Sequence, residues 1–378
     1  IKFCESQGII AGYGDNTFRP DATVTGVEAA KMLLVLAGYD ADKAGLVGHD
    51  WSTNTLRYAG AAGILDDVNA GLESGLPRQY AAQMIYNALE TNRVKWSNDS
   101  GSFDDILNGG VKETVGKAYM GLYASVGTLV SIDKDALSLA NVDGAESDPI
   151  NSRNDASGNV VYGYAEDFTK VDTDYSDLLG QKVKVMFKDG KTNSVLGVYA
   201  LADNTTYDTV LNAVEEDGNK IKFGGTSYSI ENSGVAVYVD GVRLSSEDEA
   251  TANFDTGAFD NDEDVSLFDT VYYAGGTDTS PASAYTRDIE NRKSADEVKF
   301  VDSDGNGKID TAIVTTVNYG KATYVGSDEL YVGSANVADA ADTYEADDNI
   351  IADDIEKNDY VVIKKNLYED KNDITKAD

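Results

Sequence analysis

The sequence predicts a multidomain α plus all-β protein: a helix-loop-helix bundle at the N-terminal end, then tandem small antiparallel β-modules. Three features predict it. Apolar residues recur at helical spacing as far as about Asn92 and alternate in short runs from Gly116 onward. A helix-loop-helix pattern of roughly 50 residues appears twice in the first part. Asp-Gly and Gly-rich turns punctuate the remainder, as tight hairpins require. At 378 residues the chain is also too long for one ordinary core.

Ile1 to Ile10 read as the end of an amphipathic helix closed by Gly8. The turn-rich Gly12-Tyr13-Gly14-Asp15-Asn16 then leads into Thr17-Phe18-Arg19-Pro20-Asp21. A second helix opens at Thr25, which with Glu28 has the spacing of a capping box, each side chain accepting from a free backbone amide of the helix start. Val27, Ala30, Leu33, Leu34 and Ala37 form its core-facing stripe, and Gly38 stops it. The design recurs from Trp51. Leu56 to Gly63 reads as the first helix, Ile64-Leu65 follows its glycine as Ile9-Ile10 follow Gly8, and Arg78 to Leu89 reads as the second helix. Such units bury their apolar faces only by packing on one another. Because the chain opens inside a helix at Ile1, an upstream segment bearing an export signal is expected.

The run GIIAGYGDNTFRPDATVTGVEAAKML, Gly8 to Leu33, resembles an S-layer homology repeat: a Gly-Ile pair, a glycine-rich loop, Phe-x-Pro and a helix opened by Thr-Arg-Ala-Glu. With the second repeat the resemblance reaches about Asn92. It implies a pseudo-threefold helical bundle, completed by an upstream repeat. It also implies a secreted, surface-layer-type protein held non-covalently to a secondary cell-wall polysaccharide, often a pyruvylated one. The family's arginine in Thr-Arg-Ala-Glu takes part in that recognition. Aligning the Ala-Ala pairs puts Gly26 at its position in the first repeat and Arg78 in the second, where Pro77 and Tyr80 replace the flanking Thr and Glu. The resemblance therefore carries over to Arg78 alone. A guanidinium suits a bidentate contact with a carboxylated sugar; the alternative for Arg78 is a solvated place in a first helical turn. Trp51 offers a ring for stacking on a sugar, and its alternative is a place in the core.

Lys182 to Phe187, Asn219 to Phe223 and Glu297 to Phe300 alternate lysine with apolar residues, the pattern of half-buried strands. Asp189-Gly190, Asp217-Gly218, Asp240-Gly241 and Gly305-Asn306-Gly307 bound them. Each module opens on a strand-turn-strand unit, at Gly127, Leu211 and Ala322. Each closes on a hairpin: Val183 to Tyr199, Val298 to Thr315, and Tyr360 to Thr375. With the helical repeats over residues 1–95, this places β-modules at 116–204, 205–318 and 319–378. The acidic stretches Asp255 to Asp264 and Asp339 to Asp354 read as solvated loops.

The sharpest chemical motif is Asp302-Ser303-Asp304-Gly305-Asn306-Gly307-Lys308-Ile309-Asp310. Oxygen side chains at Asp302, Asp304, Asn306 and Asp310, glycine at the sixth place and a backbone carbonyl from Lys308 reproduce most of a calcium loop. Ile313 stands where the bidentate glutamate belongs, and the flanks read as strands. A strand-loop-strand Ca2+ site is one reading, and a plain hairpin turn is the other.

Composition bounds the function. Lys and Arg number 31 against 66 Asp and Glu, a net charge of -35, which repels nucleic acid and anionic lipid and favours divalent cations. No membrane-spanning apolar run exists. Hydrophobic content of 42% with 23 tyrosines is enough to fold. The lone Cys4 permits no internal disulfide and reads as a small buried hydrophobe, and the lone His49 permits no histidine metal cluster. No phosphate loop, nucleophile elbow or specific acid–base pair emerges, so an enzyme is not expected. The expected role is structural: anchoring by the repeats, self-association of the β-modules into a lattice or filament, and stabilisation by calcium. The alternatives are a wall-displayed adhesin or glycan binder, and a fragment of a wall-anchored hydrolase.

Overall fold

In the computed structural model, described over residues 2–6, 9–10, 12, 17, 19–140, 142–143, 153–154, 160–161, 166–210, 213–216, 220–231, 235–243, 296–334 and 342–377, the change of period near Asn92 becomes a change of architecture. The chain divides into two compact units, residues 1–123 with 188–190 and residues 124–187 with 191–378. Asp255 to Asp264, Asp217-Gly218 and Leu211 lie outside the described residues.

The first unit holds helices α1 (Lys2–Ser6), α2 (Gly26–Leu36), α3 (Trp51–Ala61), α4 (Arg78–Glu90) and α5 (Val115–Met120). The capping box forms as spaced: Thr25 Oγ1 accepts from the Glu28 amide at 3.3 Å, and Glu28 Oε2 accepts from the Thr25 amide at 2.9 Å. Of the predicted stripe, Val27, Ala30, Leu34 and Ala37 are buried and Leu33 is half-buried. Ala30 and Leu34 meet Ala59, Ile64, Met84 and Ala88 in one core, so α2, α3 and α4 share it. Helix α3 begins at Trp51, ahead of the predicted Leu56, because no glycine or proline interrupts Trp51 to Arg57.

Two short hairpins, Val94–Ser97 with Ser102–Asp105 and Leu107–Asn108 with Val111–Lys112, follow α4 and were not foreseen. Neither was α5, which Thr114 caps by accepting from the Lys117 amide and Gly121 ends at φ +63°. Gly38 adopts φ +103°, and the Val94 amide donates to the Ala37 carbonyl at 2.8 Å. The first hairpin is thereby tied to the end of α2.

The second unit is β. One sheet has the order Val195–Ala200, Lys182–Lys188, Leu122–Asp133, Asp135–Ala140, Glu166–Val171. The next has the order Thr205–Val210, Glu297–Asp302, Thr311–Thr315, Ala236–Val239, Val242–Arg243. A four-stranded sheet of Glu215–Glu216, Lys220–Phe223, Thr226–Ile230 and Lys308–Ile309 accompanies it. The two face each other across Ile221, Phe223, Ile230 and Ile309 on one side and Val298, Phe300, Ala312 and Val314 on the other. The last sheet runs Asp342–Glu345, Glu329–Ser334, Val317–Val325, Tyr360–Asn366, Lys371–Lys376, Asn349–Ile351.

The expectation of purely antiparallel modules is corrected at three pairings. Thr226–Ile230 pairs parallel with Lys308–Ile309, Ala236–Val239 with Thr311–Thr315, and Asn349–Ile351 with Lys371–Lys376. The connection from Asp302 to Thr311 is long enough to send Lys308–Ile309 into the facing sheet, where Ile309 is buried. The acidic stretch near Asp339 to Asp354 is also corrected: Asp342–Glu345 and Asn349–Ile351 are strands there, with Asn349 buried and Tyr344 half-buried against the core.

Strand Glu297–Asp302 is buried on one face at Val298, Phe300 and Asp302 and on the other at Val301 alone. Val298 and Phe300 point to the core above, while Val301 joins Leu179, Tyr238 and Ile313 in a second cluster that Val130 and Leu367 also touch. Leu179 and Val130 follow from the first sheet's segment and Leu367 from the turn after Tyr360–Asn366, so one apolar cluster joins all three sheet systems.

Candidate functional site

The first candidate residues, Trp51 and Arg78, open α3 and α4. Pro77 presets the backbone for a helix start, and Arg78 follows it, exposed and without an ion pair among the described residues. Trp51 opens α3 half-buried rather than in the core, and Lys31 of α2 places its Nζ 5.7 Å from the centre of the indole ring. Burial lowers the pKa of Lys31 without partner carboxylates to raise it. No hydrogen bond or ring contact links Trp51 to Arg78 among the described residues. Sequence reasoning missed Lys31, whose place on α2 gives no local sign of the ring above it.

Gly26, which the sequence alignment of the Ala-Ala pairs sets opposite Arg78, is closed off. A Cβ there would lie 2.6 Å from Leu72 Cδ2 and 3.0 Å from Leu72 Cα. The Val27 amide donates to the Leu72 carbonyl at 2.9 Å, and the Leu76 amide donates to the Val24 carbonyl at 3.0 Å. The segment before α4 therefore covers the start of α2, and glycine at 26 is a packing requirement.

The second candidate site is the loop from Asp302 to Asp310. One oxygen each of Asp302, Asp304 and Asp310 lie within 4.8 Å of one another, about twice a calcium–oxygen distance, so a single ion can reach all three. Asp302 is buried, and its two oxygens accept from the amides of Gly305 and Gly307, each at 2.8 Å, and of Asn306 at 3.2 Å. These bonds hold the loop as a tight turn. Asp310 accepts from the Ser303 amide at 2.7 Å, the Ser303 hydroxyl at 2.6 Å and the Thr311 hydroxyl at 2.8 Å. Burial raises its pKa, the nearby Asp304 charge adds to the rise, and the hydrogen bonds from Ser303 and Thr311 offset part of it.

Asn306 and Lys308 are placed differently from the ligand pattern. Asn306 Oδ1 accepts from the Lys308 amide at 2.9 Å, while its Nδ2 donates to Glu231 at 2.6 Å and to Asp304 at 3.0 Å. Lys308 Nζ lies 3.5 Å from Glu231. Glu231, far away in sequence, brings a further carboxylate to the loop, and nothing local in the sequence marks it. Ile313 is buried in the strand beyond, in the cluster with Leu179 and Tyr238.

No helix among the described residues is long and apolar enough to cross a membrane. No curated protein matches the chain. The family model of the S-layer homology domain matches residues 1–30, ending within α2 and before both Trp51 and Arg78. S-layer homology domains bind cell-wall polysaccharide. The N-terminal segment through the capping box of α2 thus matches S-layer homology sequence, consistent with a surface protein that carries this domain.

Proposed function

We propose that this is a non-enzymatic, wall-anchored structural protein of the cell surface, whose S-layer homology repeats grip a secondary cell-wall polysaccharide and whose β-modules self-associate into a lattice or filament. The observation that carries it is the S-layer homology match at residues 1–30, continued by the shared core of α2, α3 and α4. Exposed Arg78 supplies the charge-assisted contact, with Trp51 beside Lys31 as the stacking surface. The β-modules, with boundaries near residues 205 and 319, are the assembling part. Their joint cluster at Leu179, Tyr238, Val301 and Ile313 supports a stiff building block. The test is co-sedimentation of the full chain with native cell walls and with walls stripped of the secondary polysaccharide. Binding to native walls alone is the expected result, weakened at least tenfold in Arg78→Gln, or about 1.4 kcal/mol. Equal binding to both wall preparations removes the anchoring role. Light scattering that finds only monomer at high concentration in saturating calcium removes the assembly role.

Calcium belongs to the same proposal. Because the folded pKa of Asp310 is raised, its contribution to stability is full at low pH and is lost as pH rises above the ordinary carboxylate range. A divalent ion between Asp302, Asp304 and Asp310 reverses that penalty at neutral pH. Calcium at about a hundred times its Kd is expected to add about 2.7 kcal/mol to the wild type. In Asp304→Asn, which spares the buried turn of Asp302, the calcium-induced rise in Tm should largely vanish. An equal rise in both proteins removes the site.

One observation favours a second reading, a displayed glycan binder. Tyr324 and Tyr331 pair across strands with ring centres 4.9 Å apart and remain 47% and 40% exposed, with Tyr360 at 58% on a neighbouring strand.

A further inference from the structure

The two units differ in charge. Residues 1–123 carry ten Lys and Arg against fifteen Asp and Glu, and the remaining chain carries 21 against 51. In the second unit lysines meet carboxylates: Lys134 with Glu369, Lys182 with Asp143, Lys376 with Asp359. In the first unit Arg93 meets Glu113 and Lys112 meets Asp105, whereas two other cations lie over rings. Lys43 Nζ is 5.7 Å from the centre of Trp96, and Arg57 Cζ is 4.4 Å from that of Tyr58. Both cations are exposed, and among the described residues neither makes an ion pair.

These two contacts are ends of one surface. Tyr58 meets Phe103 at 5.8 Å between centres and Tyr39 at 5.2 Å, Tyr39 meets Phe103 at 4.8 Å, and Phe103 meets Trp96 at 5.1 Å. Trp96 and Phe103 are cross-strand partners in the hairpin tied to the end of α2, and Tyr39, Tyr58 and Phe103 rest on the helical core. None of these residues lies in the matched segment 1–30, and neither Arg78 nor Trp51 is among them.

We infer that Lys43 and Arg57, at the two ends of this aromatic layer, form a second contact surface for a carboxylate-bearing polysaccharide. Half-buried rings offer apolar faces to the C–H faces of sugar rings, and a cation held over a ring keeps N–H donors for a carboxylate. The pairing selects an acidic glycan over a neutral one, since only the acidic one discharges the two unpaired cations. The natural ligand, though not the chemistry, rests on the wall-anchoring proposal.

The test titrates the full chain with polygalacturonate and with its fully methyl-esterified, neutral form. The wild type is expected to bind the acidic form at least tenfold more tightly. Introduced into Arg78→Gln, which removes the other proposed carboxylate contact, Lys43→Gln with Arg57→Gln should lose that preference while the Tm stays within a few degrees, and Lys43→Arg with Arg57→Lys in the same background should keep it. Equal affinity of the wild type for both polymers, or a wild-type preference in the triple glutamine variant, overturns the inference. Wild type that fails to distinguish native from stripped walls, yet keeps a preference that depends on Lys43 and Arg57, rejects wall anchoring and leaves this surface standing.

Discussion

Gly38→Val is expected to cost the first unit about 3–5 kcal/mol and to remove the contribution of Trp96 to its near-ultraviolet signal. Gly38 sits at φ +103°, which a β-branched residue adopts only under strain of about 1–3 kcal/mol. A Cβ there would also lie 2.1 Å from the Val94 carbonyl oxygen, a backbone atom that no rotamer change can move. Relief requires the hairpin carrying Trp96 to leave the end of α2, breaking the bond from the Val94 amide to Ala37. The aromatic layer under Lys43 and Arg57 then comes apart, so acidic-glycan binding disappears with the fold. A Tm within two degrees of the wild type would show that the hairpin does not depend on this approach.

Phe300→Ala is expected to destabilise the second unit by about 3–5 kcal/mol, the usual range for emptying a buried aromatic site. Phe300 is fully buried and stacks on Phe223 with ring centres 5.3 Å apart, and Phe223 stacks in turn on Tyr228 at 4.3 Å. Its strand pairs on both sides, with Thr205–Val210 and with Thr311–Thr315, so no neighbour can close over the cavity without giving up a ladder. The same strand ends at Asp302. A loosened Phe300 therefore also blurs the turn that gathers Asp302, Asp304 and Asp310, and the calcium-induced rise in Tm should fall along with the urea midpoint. An unchanged urea midpoint would contradict the burial of Phe300 in this core.

Tyrosines illustrate the limits of composition. Their abundance announces a folded, aromatic chain, yet Tyr207 and Tyr228 pack against a core while Tyr324 and Tyr331 face solvent. Alternation alone does not say which face of a strand a second sheet will cover. The loop at Asp302 is similar: its spacing announces converging carboxylates, and their convergence is found, but the turning of Asn306 toward Glu231 depends on a strand 75 residues earlier.

The sequence by itself determined what is local. The capping box at Thr25 and Glu28, the stop at Gly38, the span of α4 and the strands at Lys182, Lys220 and Glu297 follow from periodicity, caps and turn residues within a few positions, and the structure has them. Only the tertiary structure decided what is distant. It closed Gly26 against Leu72, tied Val94 to Ala37, threaded Lys308–Ile309 into a parallel pairing and set Lys43 and Arg57 over rings rather than beside carboxylates. Each of these pairs a residue with one brought near only by packing. A helix start, a turn or a lone cation carries no local mark of which distant neighbour the core will bring to it.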